Sequence, residues 1–387
     1  MLAVLSPGQG AQKPGFLAPW LSVDGVESQL RWWSALTGVD LVHLGVEADA
    51  EEIKDTAKTQ PLLTAAALVA AGQLRLPDVC VVAGHSVGEL GAAAVSGVLA
   101  PENAIALAGI RGREMAAACA LERTGMAAIL GGDEAEVLAV LAELGLFPAN
   151  RNGAGQIVAA GSLEGIAKLV AQPPAKARIR ELQVAGAFHT PYMASAEQAL
   201  GLVAAGMRPA DPHKILLSNA DGSSVASGTD LVARLVRQVT APVRWDLVMR
   251  TLEDLGVTAV IELPPAGTLA GLVKRSIKGV EIVTVNTPDD LAAARDLISR
   301  HGNVPSHEPT LHFMVVVAAN SGTFAPIEGL SEGDEVKAGQ VIGQVVTRQG
   351  GVDVAVNKAG VLTEWLANHD DPIAQGQPLA RIEGVGL

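Results

Sequence analysis

The stretch from Val79 to Gly97 constrains this chain most, because a short apolar run, a sharp turn and a small-residue helix follow one another there. Val79 to Val82 predicts a buried strand. The next residues, GHSVG at 84–88, match the Gly-x-Ser-x-Gly pattern of a nucleophile elbow, in which a strained turn lifts the serine hydroxyl clear of the sheet. Glycines on both sides of Ser86 let neighbouring backbone pass without Cβ clashes. An ordinary turn between a strand and a helix is the alternative, and the flanking apolar segments favour the elbow.

Composition indicates a globular protein. The chain has 387 residues, which suggests two or three domains, with 49% hydrophobic and 18% charged residues. No apolar run reaches the roughly 18 residues of a membrane span, and the N-terminus lacks the basic region of a secretory signal. A net charge of −13 disfavours nucleic acid and anionic membranes as partners. Two distant cysteines, Cys80 and Cys119, imply neither a disulfide framework nor a metal site, so we expect a cytoplasmic location.

Strand and helix patterns alternate over the first three quarters of the chain. They predict an α/β domain with a hydrolase-like parallel sheet over residues 1–299. Residues 125–187 show a βαββαβ order, which predicts a ferredoxin-like subdomain inserted into this domain.

The C-terminal quarter of the chain has a different pattern. Residues 300–310 are polar and contain proline, which is typical of a linker, and residues 311–387 contain two similar halves rich in short strands. In these halves Gly322 matches Gly360 and Gly339 matches Gly376. This all-β part resembles the barrel-sandwich module of biotinyl and lipoyl domains.

Biotinyl and lipoyl domains carry their modified lysine at a hairpin tip between the two halves. Here the corresponding segment, residues 348–352, has the sequence RQGGV, and Lys358 lies past it. We therefore expect an unmodified structural or docking module, with no covalently bound cofactor.

A serine nucleophile needs a base within hydrogen-bonding reach, and the chain has eight histidines. His189 is favoured, because it follows an apolar run and precedes Thr190 at a predicted strand-to-helix junction. The alternative for His189 is a buried structural histidine. His85 adjoins Ser86, but neighbours on an elbow point in different directions. No aspartate stands out as a third member, so a backbone carbonyl is a candidate for orienting the ring.

Two backbone N–H groups are candidates for stabilising an oxyanion. In an elbow the N–H after the nucleophile, here that of Val87, faces the developing negative charge. Gly8 and Gly10 leave the N–H of Gln9 open to a ligand, although PGQG alone is a weak signal that favours a plain turn.

Arg111 shares a predicted apolar helix face with Leu107, Ala108 and Met115. A buried guanidinium needs an anionic partner. Two alternatives follow from the residues: an internal ion pair with Glu114, or a fork that binds a substrate carboxylate through two hydrogen bonds.

Several short motifs occur in a fixed order over about residues 1–298: PGQG, TQPLL, GHSVGE, Arg111, NGAGQ, GAFHT, LSNADG and VRQ followed by PVRW. As a set they resemble the malonyl-CoA:acyl-carrier-protein transacylases and the acyltransferase domains of polyketide synthases. GAFHT is similar to the malonyl-type motif of that family. ELPPAG at 262–267 departs from the family's Gly-Pro-Gly turn.

The resemblance implies a role for eight residues. They are Ser86 as nucleophile, His189 as base, the N–H groups of Gln9 and Val87 as the oxyanion hole, the backbone carbonyl of Gln238 as the group that orients His189, Arg111 as the ligand of the malonyl carboxylate, and Gln60 and Asn152 as residues that line the pocket. No metal is implied.

The function implied is transfer of malonyl from malonyl-CoA to the phosphopantetheine thiol of an acyl carrier protein, through a malonyl-serine intermediate, in fatty-acid or polyketide synthesis. A serine thioesterase or hydrolase is an alternative, although it has no use for a carboxylate-binding arginine. A non-catalytic scaffold that acts through the C-terminal module is another, and it requires a vestigial elbow. The oligomeric state is left open by the sequence.

Overall fold

A computed structural model describes residues 1–302, 313–348, 350–357 and 359–383. Its described residues form two compact units, one of residues 1–14 and 49–302, and one of residues 15–48 and 313–383. The predicted division near residue 300 therefore does not follow the compact units, because residues 15–48 group with the C-terminal strands. Most of the predicted linker, together with Gln349 and Lys358, lies outside the described residues.

The α-helices are, in chain order, α1 (Val26–Thr37), α2 (Leu41–Val46), α3 (Thr56–Ala71), α4 (Gly88–Val95), α5 (Pro101–Leu121), α6 (Glu134–Glu143), α7 (Leu163–Ala171), α8 (Ala194–Ala204), α9 (Gly228–Arg237), α10 (Trp245–Asp254), α11 (Thr268–Ser276) and α12 (Leu291–His301). Short 3-10 helices lie at Ala18–Ser22, Glu52–Lys54, Pro191–Met193 and Pro288–Asp290.

The strands are β1 (Leu2–Ser6), β2 (Val81–Gly84), β3 (Thr124–Gly131), β4 (Phe147–Gly153), β5 (Gln156–Ser162), β6 (Ala177–Leu182), β7 (Ile215–Leu217), β8 (Ser224–Val225), β9 (Ala259–Glu262) and β10 (Glu281–Thr284) in the first unit. The second unit has β11 (Phe313–Val317), β12 (Gly322–Pro326), β13 (Glu335–Val336), β14 (Val341–Thr347), β15 (Gly350–Ala355), β16 (Gly360–Trp365), β17 (Pro372–Ile373) and β18 (Pro378–Glu383).

A six-stranded sheet of order β10-β9-β1-β2-β7-β8 forms the centre of the first unit. All its neighbouring strands are parallel except β7 and β8. Every residue of β1 is buried, as expected for a strand that is covered on both faces. Because β1 and β2 run parallel, their carboxyl ends meet at one edge, and the N–H of His85 donates to the Ser6 carbonyl at 3.0 Å. This edge holds the serine turn.

The two faces of this sheet are covered by different helices. Alternate residues of the strands, such as Ala3 and Leu5, pack with the apolar faces of α10 and α11 in one buried cluster that includes Trp245. On α4, Gly91 lies close to the Ser6 side chain. The small residues of α4 therefore let this helix approach the sheet closely. The α/β architecture predicted for this part of the chain is confirmed.

The elbow strand covers Val81–Gly84, two residues later than predicted, and Val79 is 56% exposed. Helix α3, which precedes this strand, begins at Thr56, because the Asp55 side chain accepts from the Ala57 N–H and caps the helix. Pro61 lies inside α3.

A four-stranded antiparallel sheet of order β4-β5-β3-β6 follows α5. It is built from the predicted βαββαβ segment. One side of the sheet packs with α6 and α7 around a buried apolar cluster that includes Ile129, Leu141 and Leu169.

The strands of the second unit form two four-stranded sheets, of order β11-β18-β16-β13 and β15-β14-β12-β17. The half-repeats occupy equivalent positions. A Cβ atom added at Gly322 would lie 2.4 Å from a carbonyl oxygen of the neighbouring strand, and one added at Gly360 would lie 2.3 Å from such an oxygen. Gly339 and Gly376 both have positive φ. Helix α1 packs against β11 within this unit, where Gly25 lies next to Met314.

Two further properties hold for the described part of the chain. None of its helices has the length and apolarity needed to cross a membrane. It also contains no group of three His, Cys, Asp or Glu side chains that could hold a metal ion.

Candidate active site

Ser86 lies in the turn between β2 and α4 with φ of 53°, a left-handed conformation that is rare for a residue with a side chain. The turn brings backbone very close on both sides. A Cβ atom at Gly84 would lie 2.0 Å from the Gly88 carbonyl, and one at Gly88 would lie 2.2 Å from the backbone oxygen of Ser6. Both positions therefore require glycine. The Ser86 N–H donates to Oδ1 of Asn219 at 2.8 Å, which helps to hold the strained conformation.

His189 links the serine hydroxyl to a backbone carbonyl. Its Nε2 lies 2.7 Å from Ser86 Oγ, and its Nδ1 lies 2.7 Å from the carbonyl oxygen of Gln238. A carbonyl can only accept, so Nδ1 carries the proton and Nε2 is free to accept from the serine. Burial, with the nearby charge of Arg111, lowers the pKa of His189 to about 3. The imidazole is therefore neutral near pH 7 and able to take a proton.

Arg111 is 3% exposed and lies beside this pair. Its Nη1 donates to Oε1 of Gln60 at 2.6 Å, and its Nη2 donates to Oε1 of Gln238 at 2.8 Å. The same Nη2 is 3.4 Å from Ser86 Oγ. Burial lowers the pKa of Arg111 to about 10, and the charge of Glu89 opposes that shift. The guanidinium is therefore charged at neutral pH.

The direct partners of this guanidinium are neutral. Within the part of the chain that the structure describes, no carboxylate forms an ion pair with Arg111, and Glu114 in particular does not. Of the two alternatives from the sequence, the arrangement favours a fork that binds the carboxylate of a substrate, because a buried charge held by amide oxygens alone still lacks an anion.

The predicted oxyanion donors lie in two loops that approach each other. A Cβ atom at Gly8 would be 2.7 Å from the His85 carbonyl, so only glycine permits the loop after β1 to lie against the elbow. Among the described residues, neither the N–H of Gln9 nor that of Val87 has a hydrogen-bond acceptor. Two free N–H groups beside a serine hydroxyl can bind a developing negative charge.

Asn152 and His85 form a separate contact. Nε2 of His85 lies 2.9 Å from Oδ1 of Asn152, and its ring meets Trp245 edge-on at 5.5 Å between centroids. His85 thus contacts Asn152, while Ser86 contacts His189. The structure brings Ser86, His189, Arg111, Gln60 and Gln238 into one hydrogen-bonded group, and it places Asn152 next to that group through His85.

Two members of this hydrogen-bonded network had no predicted role, Glu89 and Asn219. Asn219 donates through Nδ2 to the Gly84 carbonyl at 2.7 Å and accepts from the Ser86 N–H, so it joins the elbow strand to the turn. Glu89 is 2% exposed and accepts from the Asn219 N–H at 2.6 Å. A sequence signal existed for each residue: Glu89 is a single charge in an otherwise apolar helix, and Asn219 lies in the LSNADG motif.

The ELPPAG segment forms a helix cap. The buried carboxylate of Glu262 accepts from the N–H groups of Gly267, Leu269 and Ala270 at 2.8–2.9 Å. It thereby satisfies the first N–H groups of α11 and places a carboxyl at the positive end of the helix. Burial raises the pKa of Glu262, and the three N–H donors oppose that shift.

A serine on a strand-to-helix turn, a neutral imidazole and two free N–H groups define a serine-dependent acyl-transfer enzyme. The chain belongs to the acyl transferase family: residues 6–294 match the family described as "Acyl transferase domain". The predicted family and enzyme class are thereby confirmed. The matched region ends before β11.

Two relatives of this chain carry the same name. This chain is 53% identical over 296 residues to the malonyl CoA-acyl carrier protein transacylase of Mycobacterium tuberculosis (strain ATCC 25618 / H37Rv), covering 75% of this chain and 98% of the relative. It is 33% identical over 305 residues to the transacylase of the same name from Escherichia coli (strain K12), covering 76% of this chain and 99% of the relative.

Solved structures agree with these similarities. The crystal structure of MCAT from Mycobacterium tuberculosis has a TM-score of 0.74 and 51% identity, covering 76% of this chain and 99% of that one. The solved structure of a type II PKS acyl-carrier protein in complex with its malonyl-transacylase has a TM-score of 0.72 and 30% identity, and the match covers 76% of this chain and 99% of that one.

Proposed function

We propose that this enzyme transfers a malonyl group from malonyl-CoA to the phosphopantetheine thiol of an acyl carrier protein. The observation that carries the proposal is the buried Arg111, whose guanidinium lies 3.4 Å from Ser86 Oγ and has only neutral partners. A malonyl group attached to this serine would bring a carboxylate within reach of the guanidinium. The two groups can then form a bidentate ion pair.

In the first half-reaction Ser86 Oγ attacks the thioester carbon, and its proton moves to Nε2 of His189. The resulting imidazolium keeps its Nδ1–H on the Gln238 carbonyl. The N–H groups of Gln9 and Val87 bind the tetrahedral oxyanion. When the intermediate collapses, the carbon–sulfur bond breaks, and His189 returns the proton to the CoA sulfur. The product is a malonyl ester on Ser86.

In the second half-reaction the thiol of the carrier protein takes the place of CoA. His189 accepts the thiol proton, the sulfur attacks the ester carbon, and the proton then passes to Ser86 Oγ as the ester bond breaks. The enzyme returns to its starting state, as a ping-pong mechanism requires. Malonyl-CoA and the carrier protein are the two substrates, and no step uses a cofactor.

Arg111 also gives the site its selectivity. An acetyl group offers no carboxylate, so it leaves the buried charge without an anion, whereas malonyl supplies one. Gln60 and Gln238 hold the guanidinium from two sides and thereby fix its direction. We assign Gln60 and Asn152 to the pocket wall, the first through Arg111 and the second through His85.

The finer description of the fold is part of the proposal. The strand order β4-β5-β3-β6 supports a ferredoxin-like subdomain inserted into a hydrolase-like domain of residues 1–299. The two sheets of the second unit, with their paired glycines, support a barrel-sandwich module like those of biotinyl and lipoyl domains. Thr347 of β14 pairs with Gly350 of β15 in one of these sheets. We also assign a cytoplasmic location, on the basis of the two free cysteines.

Mass spectrometry after incubation with malonyl-CoA tests the function. We expect Ser86 to gain one malonyl group, and we expect holo carrier protein to remove it faster than water does. The Ser86→Ala variant should remain unlabelled. Hydrolysis that outpaces transfer would support a thioesterase instead, and an unlabelled wild-type protein would support the scaffold alternative.

A further inference from the structure

Glu89 is a buried carboxylate with no part in the steps above. It lies in the first turn of α4, three residues after the nucleophile, and is 2% exposed. Both of its oxygens accept hydrogen bonds: Oε1 from the Asn219 N–H at 2.6 Å, and Oε2 from Nε2 of Gln238. A charged side chain this deeply buried costs stability unless hydrogen bonds and an opposite charge compensate for the loss of water.

Gln238 connects Glu89 to the other groups of the site. Its backbone oxygen accepts from Nδ1 of His189, and its side-chain oxygen accepts from Nη2 of Arg111 at 2.8 Å. Its side-chain nitrogen donates to the Ser86 carbonyl at 3.1 Å and to Glu89. One residue thus contacts the base, the arginine and the nucleophile's backbone.

The chemistry of these neighbours allows one orientation of the Gln238 amide. Arginine offers donors only, whereas a carboxylate and a carbonyl offer acceptors only. If the amide turned over, its NH2 group would face the Arg111 donors and its oxygen would face the Glu89 carboxylate. Glu89 and the Ser86 carbonyl therefore hold the amide oxygen toward Arg111.

We propose that Glu89 is a positioning residue, which fixes the Gln238 side chain so that Arg111 is held at Ser86, ready for the malonyl carboxylate. This inference rests on the proposed function, because it gives Arg111 that ligand. The negative charge of Glu89 also favours the charged form of a guanidinium whose direct partners are neutral.

Glu89 is surrounded by few charged groups. Arg111 on α5 and Arg234 on α9 both favour its ionised form, and Arg234 is itself paired with Asp221 and Asp230. Burial is the larger influence and raises the pKa of Glu89 to about 7, against the hydrogen bonds from Asn219 and Gln238.

The sign of the pH dependence follows from the hydrogen bonds. The ionised carboxylate accepts at both oxygens, whereas protonation turns one of them into a hydroxyl, whose proton opposes the NH2 of Gln238 or the N–H of Asn219. We therefore expect malonyl loading to fall as the pH drops through about 7. His189 does not titrate in this range, since its pKa is about 3.

The Glu89→Gln variant tests the proposal in the loading half-reaction. It keeps the side-chain shape but offers one acceptor oxygen where Glu89 offers two, so its NH2 must face either the Gln238 NH2 or the Asn219 N–H. We expect kcat/KM for malonyl-CoA to fall by roughly 10- to 100-fold, mainly through KM, with a smaller loss for acetyl-CoA. The decrease of loading near pH 7 should disappear. Glu114→Gln, on the same helix as Arg111, is the matched control and should load malonyl as wild type does.

A double-mutant cycle with Gln238→Leu separates positioning from general stability. Because Glu89 acts through the Gln238 amide, Glu89→Gln should cost much less in the Gln238→Leu background. An equal cost in both backgrounds, or unchanged malonyl loading by Glu89→Gln, would overturn the proposal and leave the transferase function intact. If the variant does not fold, the wild-type ratio of malonyl to acetyl loading is measured from pH 6 to pH 8.5, and a constant ratio would refute the proposal.

Discussion

Replacement of Arg111 by alanine is the sharpest test of how this site selects its substrate. The side chain is 3% exposed and is held by the amide oxygens of Gln60 and Gln238. Its removal leaves the Ser86–His189 hydrogen bond and the His189–Gln238 hydrogen bond in place, since neither uses the guanidinium. The change should therefore act on the acyl group that carries a carboxylate.

The expected magnitude follows from the charge that loses its partner. Breaking a buried ion pair by removing one partner costs about 3–5 kcal/mol. At about 1.4 kcal/mol per factor of ten, malonyl loading should slow by roughly 150- to 5,000-fold. Acetyl loading should stay within about threefold of wild type, because an acetyl group makes no ion pair with the guanidinium.

The assay is single-turnover loading from malonyl-CoA and from acetyl-CoA, followed by intact mass. Arg113→Ala is the matched control, because Arg113 is exposed on the same helix, and it should load both groups as wild type does. Equal losses for malonyl and acetyl in Arg111→Ala, with the fold intact by circular dichroism, would show that Arg111 supports the structure and does not select the substrate.

Two further predictions concern other surfaces. Carrier proteins of this kind are expected to be acidic, and this chain also carries a net charge of −13, so docking requires a local basic patch. The candidates are the exposed pairs Arg178 and Arg180 on β6, and Lys274 and Arg275 on α11. Reversing the charge of either pair should slow transfer to the carrier in a salt-dependent way and leave malonyl loading unchanged. An equal loss of loading would assign these residues to the fold. The C-terminal module should gain no mass when incubated with biotin or lipoate ligases and their substrates, because its hairpin segment 348–352 has no lysine; a mass increase matching either group would contradict this.

The sequence singled out Ser86, His189 and Arg111, and the structure brings Ser86 within hydrogen-bonding distance of the other two. Ser86 stands between glycines that the backbone geometry requires, and Arg111 is a charge on an apolar helix face. His189 follows an apolar run at a junction between elements. Each of these signals lies within a short stretch of sequence, so it can be recognised without knowledge of the fold.

Other parts of the site depend on contacts between distant segments, which no local pattern shows. The group that orients His189 is a backbone carbonyl, and any residue type at position 238 could supply it; the resemblance, and not the residue, pointed to Gln238. Asn219 reaches Ser86 across 133 positions in sequence. The grouping of residues 15–48 with the C-terminal strands is likewise invisible in the sequence, because α1 and β11 are separated by most of the chain.

In the proposed mechanism, Gln238 links selectivity to catalysis. Its backbone orients the base, and its side chain orients the arginine, so a shift of this one residue changes both the proton acceptor and the carboxylate ligand. Glu89 is placed to prevent that shift because it lies in the first turn of α4 and its Oε2 accepts from the Gln238 side chain. The elbow serine is thus followed, three residues later, by the carboxylate that holds the amide in place. A chain that replaced Glu89 by an apolar residue would keep its nucleophile and base but lose the acceptor that fixes Arg111.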